Sequence, residues 1–78
     1  MVELVAKKIL IAIKKQPRTT AQEIAEITGF TLQYVHNTLR VLRELDLVDN
    51  VVRGVYVITE MGTTVLKKII ESEEEESG

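Results

Sequence analysis

Apolar residues recur along this chain with two different periods, and the switch between them organises it. Over the first fifteen residues Val2, Val5, Ala6, Ile9, Ala12 and Ile13 fall at helical spacing. Leu4, Leu10 and Ile11 widen that stripe around most of the helix. The pattern predicts a helix over Val2–Lys15, with Lys14 and Lys15 at the negative end of its dipole and Pro17 closing the segment. A helix apolar on most sides needs cover on most sides. In 78 residues the rest of one domain covers only part of it, so a second copy is expected against it.

A short helix is expected over Thr20–Thr28. Thr20 and Glu23 have capping-box spacing, Ala21, Ile24, Ala25 and Thr28 share a face, and Gly29 stands where a left-handed stop is needed. A further helix runs over Thr31–Leu45, with Thr31 as N-cap and Phe30 placed to staple onto Val35. Val35, Leu39 and Leu42 mark its buried face, with Thr38 and Leu45 beside them. The opposite face carries Gln33, Asn37, Arg40 and Glu44, flanked by Tyr34, His36 and Val41. From Leu47 to Thr59 the pattern changes to strand formers, Val48, Val51, Val52, Val55, Tyr56, Val57 and Ile58, interrupted by Arg53-Gly54. That is a hairpin with a tight turn. Thr59 then caps a last helix whose apolar face is Met61, Val65, Leu66, Ile69 and Ile70.

The order is helix, helix, helix, hairpin, helix. It describes a mainly α fold with a small β-hairpin, and two short helices joined through a glycine turn are the helix-turn-helix arrangement. Residues 1–70 form one domain and residues 71–78 an acidic, disordered tail. A chain of this length is one domain, with a stability of about 4–12 kcal/mol.

Charge changes the picture only when divided. The net charge of −2 combines a tail with five acids and no base and a body in which ten bases face seven acids. The body is thus mildly basic. The acidic run reads as a solvated tail, or as a competitor with nucleic acid for the basic face. Lys67 and Lys68 read as a solvated face or as partners for the tail acids. The chain has no cysteine, so it offers no thiol chemistry and no thiolate metal site, and it fits a reducing, cytoplasmic setting. The apolar run Ile9–Ile13 is far too short to span a membrane. With one histidine and no cysteine, a metal site at His36 has no partners, and no cofactor is expected. Ser72 and Ser77 lie in the tail and the four glycines are scattered, so nothing supports a nucleophilic pair or a phosphate-binding loop.

The stretch Thr20-Ala21-Gln22-Glu23-Ile24-Ala25-Glu26-Ile27-Thr28-Gly29-Phe30-Thr31 resembles the helix-turn-helix of bacterial and archaeal winged-helix regulators. The likeness continues through Val35, Leu39, Leu42 and Leu47-Val48. It closes on Tyr56-Val57-Ile58-Thr59-Glu60-Met61-Gly62, similar to the strand-to-helix signature of the MarR and ArsR types, and has an archaeal look. It covers about residues 18–70. Asp46 departs from it, standing where the family usually has glycine; Asp is among the residues that tolerate a left-handed backbone. The ligands of metal-sensing relatives are missing.

The resemblance implies a winged helix-turn-helix that binds double-stranded DNA as a homodimeric transcriptional regulator, a repressor rather than an activator. A recognition helix meets base edges with its N-terminal half. Gln33 and Asn37, one turn apart, suit adenine, and Arg40 suits guanine or a phosphate. Thr31, Tyr34 and His36 suit phosphates or a thymine methyl, with Tyr34 open to a core reading as well. Arg53 at the hairpin tip is either a wing arginine for the minor groove or a plain turn residue. Tyr56 is assigned to the core by its alternation with Ile58. Lys14, Lys15 and Arg18 are assigned to phosphates. Leu4, Ile11, Leu66, Ile69 and Ile70, on the first and last helices, are assigned to the dimer interface. The rival reading is a winged helix used as a protein-interaction module, since fold does not fix function. A regulator that also answers to a small-molecule effector is a third, with no effector legible.

Overall fold

The computed structural model describes residues 2–16 and 18–77, and side chains for 5–16 and 18–73. Helix α1, Val2–Lys15, forms the centre of the domain. Ile9, Leu10, Ala12 and Ile13 are buried, and Val5, Ala6 and Ile11 are half-buried against the same core. α1 touches α2 (Ala21–Thr28), α3 (Leu32–Glu44), β3 (Val55–Ile58) and α4 (Glu60–Ser77). Among the described side chains, one chain therefore covers much of the wide apolar surface of α1.

The remaining core comes from every other element. Ala21 and Ile24 of α2, Val35, Leu39 and Leu42 of α3, Leu47, Val48 of β2 (Val48–Val52) and Leu66 of α4 join the residues of α1 in one cluster. Leu66, expected at a dimer interface, is only 2% exposed, so its side chain belongs to this core. Met61, expected on the apolar face of α4, is 53% exposed.

A strand absent from the sequence reading, β1 (Thr19–Thr20), completes a three-stranded antiparallel sheet in the order β1-β3-β2. Thr19 pairs with Tyr56 and Thr20 with Val55. The predicted hairpin is β2 and β3, turning at Arg53-Gly54 with Gly54 at φ 79°. A register shift between Asn50 and Val52 bulges β2 and leaves Val51 and Val52 exposed. The Asn50 amide donates to the Val55 carbonyl at 3.1 Å and braces the bulge.

The last helix runs through Ser77. The acidic run expected to be a disordered tail continues α4, because glutamate is a good helix former and extending a nucleated helix is easy. Glu73 forms an ion pair with Lys7 of α1. Lys67 and Lys68 are exposed. Among the described residues, no helix is long and apolar enough to cross a membrane.

Candidate nucleic-acid interface

Two caps and a turn hold α2 and α3 together. Thr20 has an extended backbone, and its hydroxyl oxygen accepts from the Glu23 N–H at 3.2 Å. The Thr20 hydroxyl lies 3.2 Å from Glu23 Oε1, so the expected Thr20–Glu23 partnership forms through the side chains. Gly29 ends α2 at φ 82°, its N–H donating to the Ala25 carbonyl at 2.8 Å. Thr31 caps α3 by accepting from the Tyr34 N–H at 3.2 Å.

Phe30, in the turn, packs on the core and meets Tyr34 edge to face, with ring centroids 5.3 Å apart. Lys8 of α1 sits 5.8 Å from the Phe30 ring centre. This stack settles one alternative: Tyr34 is 44% exposed and stands on the flank of α3, outside the core.

The far end of α3 is fixed as firmly. Asp46 takes φ 62°, the left-handed conformation that glycine favours. Its N–H donates to the Arg43 carbonyl at 3.0 Å, and the Leu47 N–H donates to the Leu42 carbonyl at 2.9 Å. These two bonds make a Schellman stop, and Leu42 and Leu47 are both in the core. Thr59 then ties the stop to α4. Its hydroxyl donates to the Asp46 carbonyl at 2.6 Å and accepts from the Gly62 N–H at 3.0 Å, while its own N–H donates to the Leu47 carbonyl at 3.1 Å.

So braced, α3 presents three surfaces to solvent. The outward face carries Gln33, Asn37, Arg40 and Glu44, all exposed. Gln33 Nε2 donates to Asn37 Oδ1 at 3.1 Å, so the two side chains assigned to base reading form one polar unit. The first flank is apolar: Tyr34, Val41 and Leu45 border a groove with Val5 and Ala6 of α1 and Val65 and Ile69 of α4. The second flank is polar and cationic. His36, Arg40 and Arg43, with Glu44, line a cleft of about 330 Å³ whose other wall is Tyr56 of β3.

The other residues assigned to DNA are spread more widely. Arg53 is exposed at the turn of the hairpin, and Arg18 is exposed just before β1. Lys15 borders a groove between α1 and α2, with Ile11 and Ile27, whereas Lys14 borders one between α1 and α4, with Ile70 and Lys67. Neither groove includes a residue of α3. Of the residues assigned to a dimer, Ile11, Ile69 and Ile70 line three different grooves, and the side chain of Leu4 lies outside the described residues.

Arg43 was missed by the sequence reading. Its signal was a spacing: residues 36, 40 and 43 fall on one stripe of a helix. Tyr56 was assigned to the core alone; it is half-buried there and also lines the cleft. Among the described residues no three His, Cys, Asp or Glu side chains gather to hold a metal.

Comparison with known proteins agrees with this geometry. Residues 5–49 match the profile of a family described as winged helix-turn-helix DNA-binding. The chain is also 43% identical over 58 residues to an uncharacterized protein, MJ0558, of the archaeon Methanocaldococcus jannaschii. That match takes in 74% of this chain and 22% of the relative, so the chain spans about a fifth of the relative's length.

Proposed function

Because the chain belongs to the winged helix-turn-helix DNA-binding family, we propose that it reads a specific double-stranded DNA sequence as a homodimeric transcriptional repressor of the MarR/ArsR-like type, without catalytic activity. The observation that carries this reading is the outward face of α3. A helix capped at Thr31, stopped at Asp46 and seated on Val35, Leu39 and Leu42 projects Gln33 and Asn37 into solvent, hydrogen-bonded to each other. A buried amide pair would be needed by the fold; an exposed one one turn apart is free to exchange its mutual bond for the edge of an adenine. Each residue of the pair stands in the half of the helix that meets base edges. Thr31 and Tyr34 stand beside them, and Arg53, exposed at the hairpin tip, is assigned to the minor groove.

Support for the homodimer is the apolar groove along α3, α1 and α4, where Val41 and Leu45 are 49% and 59% exposed. Two copies related by a two-fold axis would read half-sites about one helical turn apart. Repression would follow from occupancy of a promoter by the bound protein.

The test is duplex binding as a function of salt. The affinity for a selected duplex should fall steeply as salt rises. Asn37→Ala and Gln33→Ala should each reduce the preference for the selected sequence over random duplex, by about 1–3 kcal/mol where the pair is bidentate. Duplex ignored at low salt by the folded protein refutes the reading and favours a protein-interaction module. A monomer at micromolar concentration refutes the homodimer alone.

A further inference from the structure

The two flanks of α3 differ in a way that bears on how the helix would lie in DNA. An α-helix with its side chains is about 10–12 Å across, and the major groove is about 12 Å wide. A helix in that groove meets bases with its outward face and brings a flank against a sugar–phosphate wall. Only one flank of α3 is suited to a phosphate wall. Tyr34, Val41 and Leu45 make the first flank apolar, whereas the second aligns His36, Arg40 and Arg43 on one stripe.

The cationic flank is also walled. Tyr56, on the central strand of the sheet that carries the hairpin, closes its far side. Among the described residues no salt bridge occupies Arg40 or Arg43, although Glu44 lines the same cleft. Two guanidinium groups with fixed planar donors, an imidazole and a phenol thus converge on one concavity, with a single carboxylate among them. Guanidinium groups favour phosphate because they can donate two parallel hydrogen bonds to it.

We infer that the cleft of His36, Arg40, Arg43 and Tyr56 is a seat for a backbone phosphodiester of the bound duplex, joining the recognition helix to the hairpin sheet on one DNA strand. This rests on the DNA-binding reading and deepens it. It assigns Arg40 to a phosphate, where the sequence left it between phosphate and guanine, and adds Arg43 and Tyr56 to the interface. Base reading is left to Gln33 and Asn37.

The roles are separable by how binding responds to salt and sequence. Removing a phosphate contact weakens all duplexes alike and lowers the log–log salt slope by about 0.9, whereas removing a base contact relaxes specificity. Arg43→Ala should cost about tenfold in affinity for the selected and the random duplex alike, with that drop in slope. Arg43→Lys should restore the slope, because the charge remains, with only part of the affinity. Tyr56→Phe should weaken both duplexes while leaving the slope unchanged, since no charge is lost. Circular dichroism melts of each variant check that the fold persists.

An Arg43→Ala variant with the parental slope overturns the seat while the parent still binds duplex. So does an Arg40→Ala variant that loses preference for the selected sequence but keeps the slope. Amide shifts around Arg43 on adding inorganic phosphate at matched ionic strength, with duplex binding indifferent to Arg43→Ala, would mark a free-anion site and also overturn it. Failure of the parent protein to bind any duplex would instead refute the DNA reading itself, and the seat with it.

Discussion

Gly62 offers a test in which two physical effects have opposite signs. It lies in the first turn of α4 and is buried. On helix propensity alone, replacing glycine by alanine inside a helix stabilises by about 1 kcal/mol. The surroundings of Gly62 forbid that gain. A methyl group there would overlap the carbonyl oxygen of Leu47 and stand 2.8 Å from Ile58 Cγ1 and 3.0 Å from the Leu47 carbonyl carbon. The obstacle is chiefly backbone, which cannot rotate away. Relief requires α4 to back off, and the Thr59 junction resists. Movement there stretches the 3.1 Å bond from the Thr59 N–H to Leu47 and the 3.0 Å cap from Gly62 to Thr59. Overpacking costs about 1–3 kcal/mol and a lost cap about 1 more. Set against the propensity gain, Gly62→Ala should destabilise by about 1–3 kcal/mol. For a domain of this size that lowers Tm by roughly 4–24 °C, at about 4–8 °C per kcal/mol. Urea melts followed by circular dichroism measure it, and Thr64→Ala, exposed on the same helix, supplies the control. An unchanged or raised Tm for Gly62→Ala would refute the argument that Leu47 and α4 are in backbone contact.

Asp46→Gly should stabilise the protein by about 1 kcal/mol. It removes the strain of a side chain at φ 62° and an acid from the negative end of α3, and it should raise the urea midpoint at constant m-value. Leu66→Ala should cost about 2–5 kcal/mol, a large part of the total stability, visible as a collapsed thermal midpoint; a melt like the parent's would return Leu66 to the surface. Ile69→Ser should leave the melt of a dilute sample nearly intact but shift sedimentation toward monomer if the groove along α1, α3 and α4 holds a second copy. Glu73→Gln should lose less than about 1 kcal/mol overall, since the Lys7 pair is near the surface, yet speed amide exchange in the last turns of α4.

What the sequence showed of this fold was what depends on near neighbours. The Thr20–Glu23 cap, the Gly29 stop and the Thr31 cap each involve residues within four positions, and all are present. Asp46 was legible as a departure from glycine that its type tolerates, and it does adopt the left-handed backbone. Features made by distant partners were not legible. β1 has two residues, both threonine, and exists because Tyr56 and Val55 pair with them across the fold. The stripe Leu66–Ile69–Ile70 was visible on α4, but periodicity says that a face is covered without saying by what. The covering of Leu66 by its own chain is tertiary information. The acidic run was read by charge repulsion, and helix continuation with the Lys7 pair outweighed it. The candidate site divides in the same way. Gln33, Asn37 and Arg40 stand out on the outer face of one helix, whereas the stripe of His36, Arg40 and Arg43 becomes a cleft through a tyrosine on a strand 13 residues beyond Arg43.

The Thr59 junction has a mechanical consequence. A loop between two helices ordinarily acts as a slack tether, absorbing movement of one before the other responds. Here a single residue bonds to the stop of α3 and to the start of α4 at once, and its backbone holds the strand-to-helix corner. The end of α3 and the root of α4 are therefore joined through one residue. A tilt of the first turn of α4 would be passed through these bonds to the C-terminal end of α3.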